Sequence, residues 1–292
     1  MHTSEHHHAP HDHAAQPEHH HGHGHDHEQA DLLDLDAEVL AEVNADIVDR
    51  LPAPPEARRL VDLGAGTGAG TFALLARFPD AEVVAVDSSA EHLDRLAGNA
   101  RARGVADRVR TVRADLDAAW PDLGAPDLVW ASSSLHHLSD LDRTLRRVHD
   151  LLAPGGLFAV VELAGFPRFL PDDAPADRPG LEARCHAISD RYHAEHVPLR
   201  GADWGPPLTA AGFVLDATRT VTVDSGRSGS AAVGRYALAS LQRMRASVAD
   251  SLDAADLAAL DRLLDPDGPD GIARRADLTV RTERTVWAAR RP

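Results

Sequence analysis

The chain has 292 residues and a mass of 31.3 kDa, with 43% apolar and 26% charged residues, which is enough for one large α/β domain or two small ones with a sizeable buried core. Its one cysteine, Cys185, excludes an internal disulfide, a cysteine-based zinc site and an iron–sulfur cluster held by this chain alone. All 30 basic residues are arginine, which excludes Schiff-base chemistry and a P-loop lysine, and 46 acidic residues set a net charge of −16 that disfavours nucleic acid as a partner.

Residues 1–30 hold 12 of the 19 histidines and five acids, with no arginine, Leu, Ile, Val or aromatic residue. Such a segment buries too little surface to offset its ordering entropy, which predicts a disordered tail. Shifting sets of imidazoles there would bind divalent metals weakly, without a fixed site. A solvated tail with no metal role is the simpler reading. From Asp31, Leu32, Leu35, Val39, Leu40, Val43, Ile47 and Leu51 recur three or four apart, a single helical stripe ended by Pro52, Pro54 and Pro55. Strands are then predicted at 60–63, 83–86, 109–112 and 128–131, alternating with helices at 70–78, 91–103 and 139–152. Ser139 and Asp142 read as a capping-box pair for the last of these helices, and Pro154-Gly155-Gly156 ends it. Leu157–Leu163 reads as a continuous apolar strand buried on both faces. The Pro- and Asp-rich stretch 165–179 is expected to be a mobile loop, before helices at 181–196 and 208–211 and a strand at 213–223. Helices at 232–252 and 254–264 precede a closing strand at 278–288, so 225–277 looks like a helical insertion. This alternation predicts a doubly wound α/β fold, a parallel sheet with helices on both faces. No stretch approaches the ~20 apolar residues of a membrane helix, and the N-terminus lacks the halves of a signal peptide, so a cytoplasmic protein is expected.

The informative stretch is Asp62-Leu63-Gly64-Ala65-Gly66-Thr67-Gly68, where a buried strand runs into a glycine turn and then a helix. Glycines there let a ligand approach the backbone where a Cβ would clash. Nicotinamide-binding folds use a related loop, so the loop alone does not choose a cofactor. Three carboxylates narrow it: Asp62 before the first glycine, Asp87 at the end of the next strand, and Asp115 after the third. Asp87 is placed to accept two ribose hydroxyls in a bidentate contact, or to serve as a strand-end turn former; Asp115 is likewise a ligand acid or a turn acid.

With these residues, Val86-Asp87-Ser88, Asp127-Leu128-Val129-Trp130-Ala131-Ser132 and Leu152-Ala153-Pro154-Gly155-Gly156, the sequence resembles the class I S-adenosylmethionine-dependent methyltransferases over residues 31–163. The last two segments are most similar to the small-molecule branch, as in quinone-biosynthesis and actinobacterial methyltransferases. The resemblance implies a Rossmann-like, mostly parallel seven-stranded sheet with an antiparallel C-terminal strand and added helices. It implies one methyltransferase domain over 31–292, with 164–212 as a lid or acceptor region. It further implies S-adenosylmethionine as cofactor and a small-molecule acceptor as partner. Gly64 and Gly66 would lie under the methionine part, Asp87 and Ser88 at the ribose, Asp115 at the adenine amino group, Leu116 on the ring, and Ser132 near the methionine end. Asp62 would act through water or serve a structural role. No Asn/Asp-Pro-Pro-aromatic motif follows the fourth strand, and Cys185 follows no proline, which disfavours amino-group methylation of bases and a cysteine route to cytosine C5.

Methyl transfer from a sulfonium mainly requires alignment, and a general base is needed only where the acceptor enters protonated. His136 and His137, after the fourth strand, are candidates for that base, and His137 is the catalytic residue put forward, against a structural role for its ring. His186, His193 and His196 on the 181–196 helix are further candidates, with no metal site expected among them. Phe166, Phe169, Tyr192, Trp204, Phe213 and Tyr236 either wall an apolar acceptor site or form ordinary core, while Trp130 and Cys185 read as core. The rival functions are a nicotinamide-dependent oxidoreductase, a non-catalytic S-adenosylmethionine sensor, and a metal-handling protein acting through its tail.

Overall fold

A computed structural model describes residues 22–197, 199–225 and 230–292 of the chain. The histidine-rich tail as far as residue 21 lies outside the described residues. The stripe predicted from Asp31 forms two helices, α1 (Gly22–Val39) and α2 (Ala41–Asp49), and the first starts earlier than its apolar pattern. Leu40 sits at the break because the stripe serves two cores. Leu40 packs among the C-terminal helices, whereas Ile47 and Val48 pack against the sheet.

Next come β1 (Arg59–Leu63), α3 (Ala69–Arg77), β2 (Glu82–Asp87), α4 (Ala90–Ala102), β3 (Val109–Arg113), β4 (Leu128–Ser132), α5 (Leu141–Leu151) and β5 (Leu157–Leu163). After these follow α6 (Leu181–His196), α7 (Gly205–Ala210), β6 (Val214–Asp224), α8 (Ala231–Val248), α9 (Ala254–Leu264) and β7 (Arg281–Arg290). The seven strands run in the order β3-β2-β1-β4-β5-β7-β6. Strands β1 to β5 are parallel, and β7 inserts antiparallel to both β5 and β6. Strand order therefore reverses between β1 and β4, where an open sheet leaves a crevice at its carboxyl edge.

Side-chain alternation divides the sheet into two cores. Leu60, Leu128 and Trp130 share one face with Ile47, Val48, Leu74 and Leu75 of α2 and α3. Val61, Leu63, Val129 and Ala131 share the other with Leu145 and Val148 of α5. A third core joins Leu181 and Cys185 of α6 to Leu241 of α8 and Leu260 of α9. Between β6 and β7, the helical segment thus has its own packing rather than lying on the sheet.

Two local expectations are corrected. The cap of α5 is Asp140, whose carboxylate accepts from Arg143 N at 2.9 Å, while Ser139 N donates to Asp117 instead. An aspartate next to the expected serine wins because its carboxylate is a stronger acceptor for the first-turn N–H groups. Stretch 165–179 is irregular but pinned. Glu182 accepts from Phe169 N and Leu170 N at 2.8 and 2.9 Å, and both residues are buried. Among the described residues, no helix is long and apolar enough to cross a membrane.

Candidate functional site

The β1 strand ends in a turn that the neighbouring strand holds open. Gly64 N and Ala65 N donate to Val86 O at 2.8 and 3.0 Å, and Gly66 N donates to the Asp87 carboxylate at 2.8 Å. Gly64 and Gly66 have φ of +68° and +52°, the left-handed region that favours glycine. A Cβ on Gly64 would also collide with Ser134, which itself donates to Leu63 O at 2.9 Å. Loop and β4 end are therefore in direct contact, as the strand order requires.

Asp87 closes the loop from the other side. Its second oxygen accepts from Ser89 N at 2.9 Å, with His92 Nδ1 at 3.4 Å. Burial opposes its ionisation, but the His92 ring and the N–H groups of Ser89 and Gly66 outweigh that and hold its carboxyl below the usual range. Ala114 N donates to Asp87 O at 3.0 Å, which seats Asp115 beside it. Asp115 is exposed and accepts from Asp117 N, Ser88 is exposed, and Leu116 is buried against Leu63 and Val86. These four residues thus form one ledge at the ends of β2 and β3.

A cavity of about 440 Å³ is lined in part by this loop. Asp62, Gly64, Gly66, Ser132, His136 and His137 line it, and the ledge residues Asp87, Ser88, Asp115 and Leu116 do not. Ser133, also on the wall, has φ +52° and donates its N–H to Val161 O at 2.8 Å, a strained non-glycine position at the cavity itself. Trp130 is buried as expected, yet its edge reaches this cavity. Of the six aromatics, Phe166, Tyr192 and Tyr236 line the wall, whereas Phe169, Trp204 and Phe213 are packed in the cores.

Asp62 is 2% exposed and accepts from Thr71 Oγ1 at 2.7 Å. Burial pushes its carboxyl up to about 7; the Thr71 hydroxyl opposes this and Asp87 adds to it. Between its ordinary value of 3.8 and about 7, the folded chain keeps a proton that the unfolded chain has lost. Asp62 therefore makes the fold less stable as pH rises through that window. In Asp62→Asn, urea unfolding at about pH 5 and about pH 8 is expected to show a smaller loss of stability between the two than in the parent. Equal losses would place Asp62 in contact with water.

The two histidines differ. His136 Nδ1 lies 2.7 Å from Glu162 Oε2, and Glu162 is buried at 2% exposure. His137 stands 4.2 Å from the His136 ring, and burial, then His136, Arg243 and Arg200, push it down to about 4. Such a ring is neutral at physiological pH but a poor base. His193 and His196 direct ring nitrogens to the carbonyls of Ser189 and Tyr192, and His186 is buried. Among the described residues, no group of three or more His, Cys, Asp or Glu is placed to hold a metal ion. Burial pushes the Cys185 thiol up to about 11.

Glu162 is the functional-site residue that sequence reading passed over. The signal was present: it is the one acid in Leu157–Leu163, an otherwise apolar strand. Arg200, Arg243, and the buried ion pair of Arg284 with Asp36 at 2.9 Å also reach the cavity from elements far apart in the chain.

The sheet order, with β7 inserted antiparallel beside β5, and the acid-flanked glycine loop at the β1/β4 switch define a Rossmann-like seven-stranded fold. Residues 61–158, about a third of the chain, match the family described as a methyltransferase domain. It is 44% identical over 117 residues to a trans-aconitate 2-methyltransferase of Methylobacterium radiotolerans, covering 40% of this chain and 42% of that one. It is 35% identical over 183 residues to a malonyl-[acyl-carrier protein] O-methyltransferase of Halorhodospira halophila, covering 60% of each. The chain thus spans less than two thirds of the length of these curated relatives. In fold it is similar to a candidate methyltransferase from Bacillus halodurans, with TM-score 0.54, 16% identity, and coverage of 85% of this chain and 98% of that one. The phosphoethanolamine N-methyltransferase 2 of Haemonchus contortus, solved with S-adenosyl-L-methionine, gives TM-score 0.50 at 16% identity, covering 86% of this chain and 52% of that one.

Proposed function

We propose that the chain transfers a methyl group from S-adenosylmethionine to a small-molecule acceptor. The observation that carries this reading is the positive-φ glycine loop at the strand-order switch, which lines the cavity and is tied through Gly66 N to the Asp87 carboxylate. The residues present fit the cofactor. The cradle at Gly64 and Gly66 is one that side chains would fill, and Leu33 Cδ1 lies 3.1 Å from where a Gly66 Cβ would stand. Asp87 and Asp115 share a ledge where a nucleoside's ribose and base can sit, and Leu116 supplies apolar packing beneath.

When bound, S-adenosylmethionine supplies a methyl carbon already activated by its sulfonium. The protein's task is to hold the acceptor atom in line, and alignment of this kind contributes roughly 7–11 kcal/mol. Where the acceptor enters protonated, His136 rather than His137 is placed to take the proton. Its Nδ1–H is directed to Glu162, which leaves Nε2 as the basic atom of a ring on the cavity wall. The bound cofactor would supply the methyl group and keep the carbon–sulfur electron pair, leaving the chain's own residues to align the acceptor and, at His136, to take its proton.

The test is incubation of the protein with methyl-labelled S-adenosylmethionine and a small-molecule extract. Label is expected in a low-mass product, with S-adenosylhomocysteine formed in equal amount. Binding of a nicotinamide dinucleotide in place of S-adenosylmethionine would contradict the proposal.

A further inference from the structure

The cavity carries two cations that the fold does not use. Arg200, just beyond α6, lies over the Phe166 ring with its Cζ 3.4 Å from the centroid, and its Nη2 is buried without a hydrogen-bond partner. Arg243, on α8, lines the same cavity from an exposed position, and among the described residues its side chain makes no hydrogen bond or ion pair, so the buried orphan is on Arg200. The third arginine of the wall, Arg284, is different, since Asp36 and Asn44 hold it at 2.9 and 3.0 Å. Arg200, Arg243 and His137 line this one cavity, and both guanidinium groups disfavour a positive charge on the His137 ring. The acids that reach Arg200 through space are Asp190 and Glu162, and Glu162 is already engaged by His136.

An unpaired buried guanidinium is costly, and a native structure that keeps one has a use for it. Here the cost is doubled, because the reading above brings a positively charged sulfonium to the same cavity. Even with its own carboxylate the cofactor is a net cation, and an anionic acceptor entering beside it would offset the repulsion. Arginine is also the side chain best matched to a planar or tetrahedral oxyanion, through two parallel N–H donors. Phe166 holds the Arg200 plane fixed, so less freedom is lost when an anion docks.

We propose that the acceptor is an organic anion, and that Arg200 and Arg243 bind its carboxylate or phosphate group at the wall next to His137. This deepens the methyltransferase reading and rests on it. It places the recognition of the acceptor on the α6–α7 connection and on α8, outside the strands of the Rossmann-like core, while the core itself recognises the cofactor. His137, neutral between the two arginines, adds no positive charge and can donate one hydrogen bond to the same group.

The test uses the full chain saturated with S-adenosylhomocysteine, titrated by calorimetry with malonate, citrate, inorganic phosphate and the uncharged malonamide. Saturable binding of a carboxylate or of phosphate, weakened by added salt and absent with malonamide, is expected; the arm that binds identifies the oxyanion. Arg200→Gln and Arg243→Gln are each expected to weaken that binding about ten- to a hundredfold, the scale of a lost charged hydrogen bond, while S-adenosylhomocysteine affinity is unchanged. Arg243→Lys is expected to recover part of the loss, which a merely structural role would not produce. Equal binding of malonate and malonamide, or variants that bind anions as the parent does, would overturn the proposal. Loss of S-adenosylhomocysteine affinity in the arginine variants would overturn it too, by placing these side chains on the cofactor's own carboxylate. Should the parent fail to bind S-adenosylhomocysteine, the cofactor reading falls, and the same anion titrations on the chain alone decide this proposal separately.

Discussion

Replacing Asp87 with alanine is expected to weaken S-adenosylmethionine binding by about 1.5–3 kcal/mol, the scale of a lost charged hydrogen bond. The residue has two tasks in this structure. Its carboxylate accepts from Gly66 N and Ser89 N, which ties the glycine loop to the end of β2, and it presents the charge that the ribose hydroxyls would meet. The alanine variant loses both, so affinity falls roughly ten- to 150-fold, as calorimetry would read it. Asp87→Asn keeps the side-chain volume and one acceptor oxygen, and is expected to fall between the parent and alanine. Circular dichroism should show the same fold for all three, because β2 is fixed by its pairing with β1 and β3 and not by its last side chain. Unaltered affinity in Asp87→Ala would remove the ribose assignment.

Gly64→Ala is expected to reduce both stability and cofactor binding. The backbone at Gly64 has φ +68°, which costs an alanine roughly 1–2 kcal/mol, and its Cβ would overlap the Ser134 side chain, with Oγ at 2.8 Å. Ser134 cannot yield freely, since its hydroxyl holds Leu63 O at the end of β1. Adding an overpacking cost gives a total of about 3 kcal/mol, or roughly 6–12 °C in melting temperature for a domain of this size. Gly104 separates the two causes. Its φ is also +68°, but nothing lies within 4 Å of a Cβ built there. Gly104→Ala is therefore expected to show the backbone cost alone and an unchanged affinity for S-adenosylmethionine. Thermal melts of the two variants test this, and a Gly64→Ala protein no worse than Gly104→Ala would mean that the loop and the β4 end are not in contact.

The sheet was legible because its strands are short apolar runs punctuated by glycine and proline, as in Leu60–Leu63 before Gly64 and Leu157–Leu163 after Gly156. The features that escaped have physical reasons. No proline or glycine marks the break at Leu40, since what turns the chain there is a division of its apolar stripe between two cores. Residues 22–30 are polar and histidine-rich, and nothing in their composition announces that α1 extends back through them. Asp140 and Ser139 are adjacent helix-capping types, and only the first-turn N–H geometry chooses between them.

The site divides in the same way. The loop side follows from local chemistry, because Asp62, Gly64, Gly66 and Asp87 lie at strand ends whose order the alternating pattern already implies. On the acceptor side the pattern fails. Arg200, in the connection after α6, and Arg243, on α8, come to line one cavity through the tertiary packing of these elements, which no local periodicity records. His136 and His137 are neighbours in sequence with opposite surroundings, one directed at Glu162 and the other lying among cations. Only the fold distinguishes them.

The most direct test of the account is a crystal structure of the protein with S-adenosylhomocysteine. The ribose hydroxyls are expected on the Asp87 carboxylate, the adenine over Leu116 with its amino group towards Asp115, and the sulfur facing the cavity that holds His136 and Arg243. A nucleoside bound away from Asp87 and the Gly64–Gly66 turn, or an empty loop at saturating ligand, would contradict it.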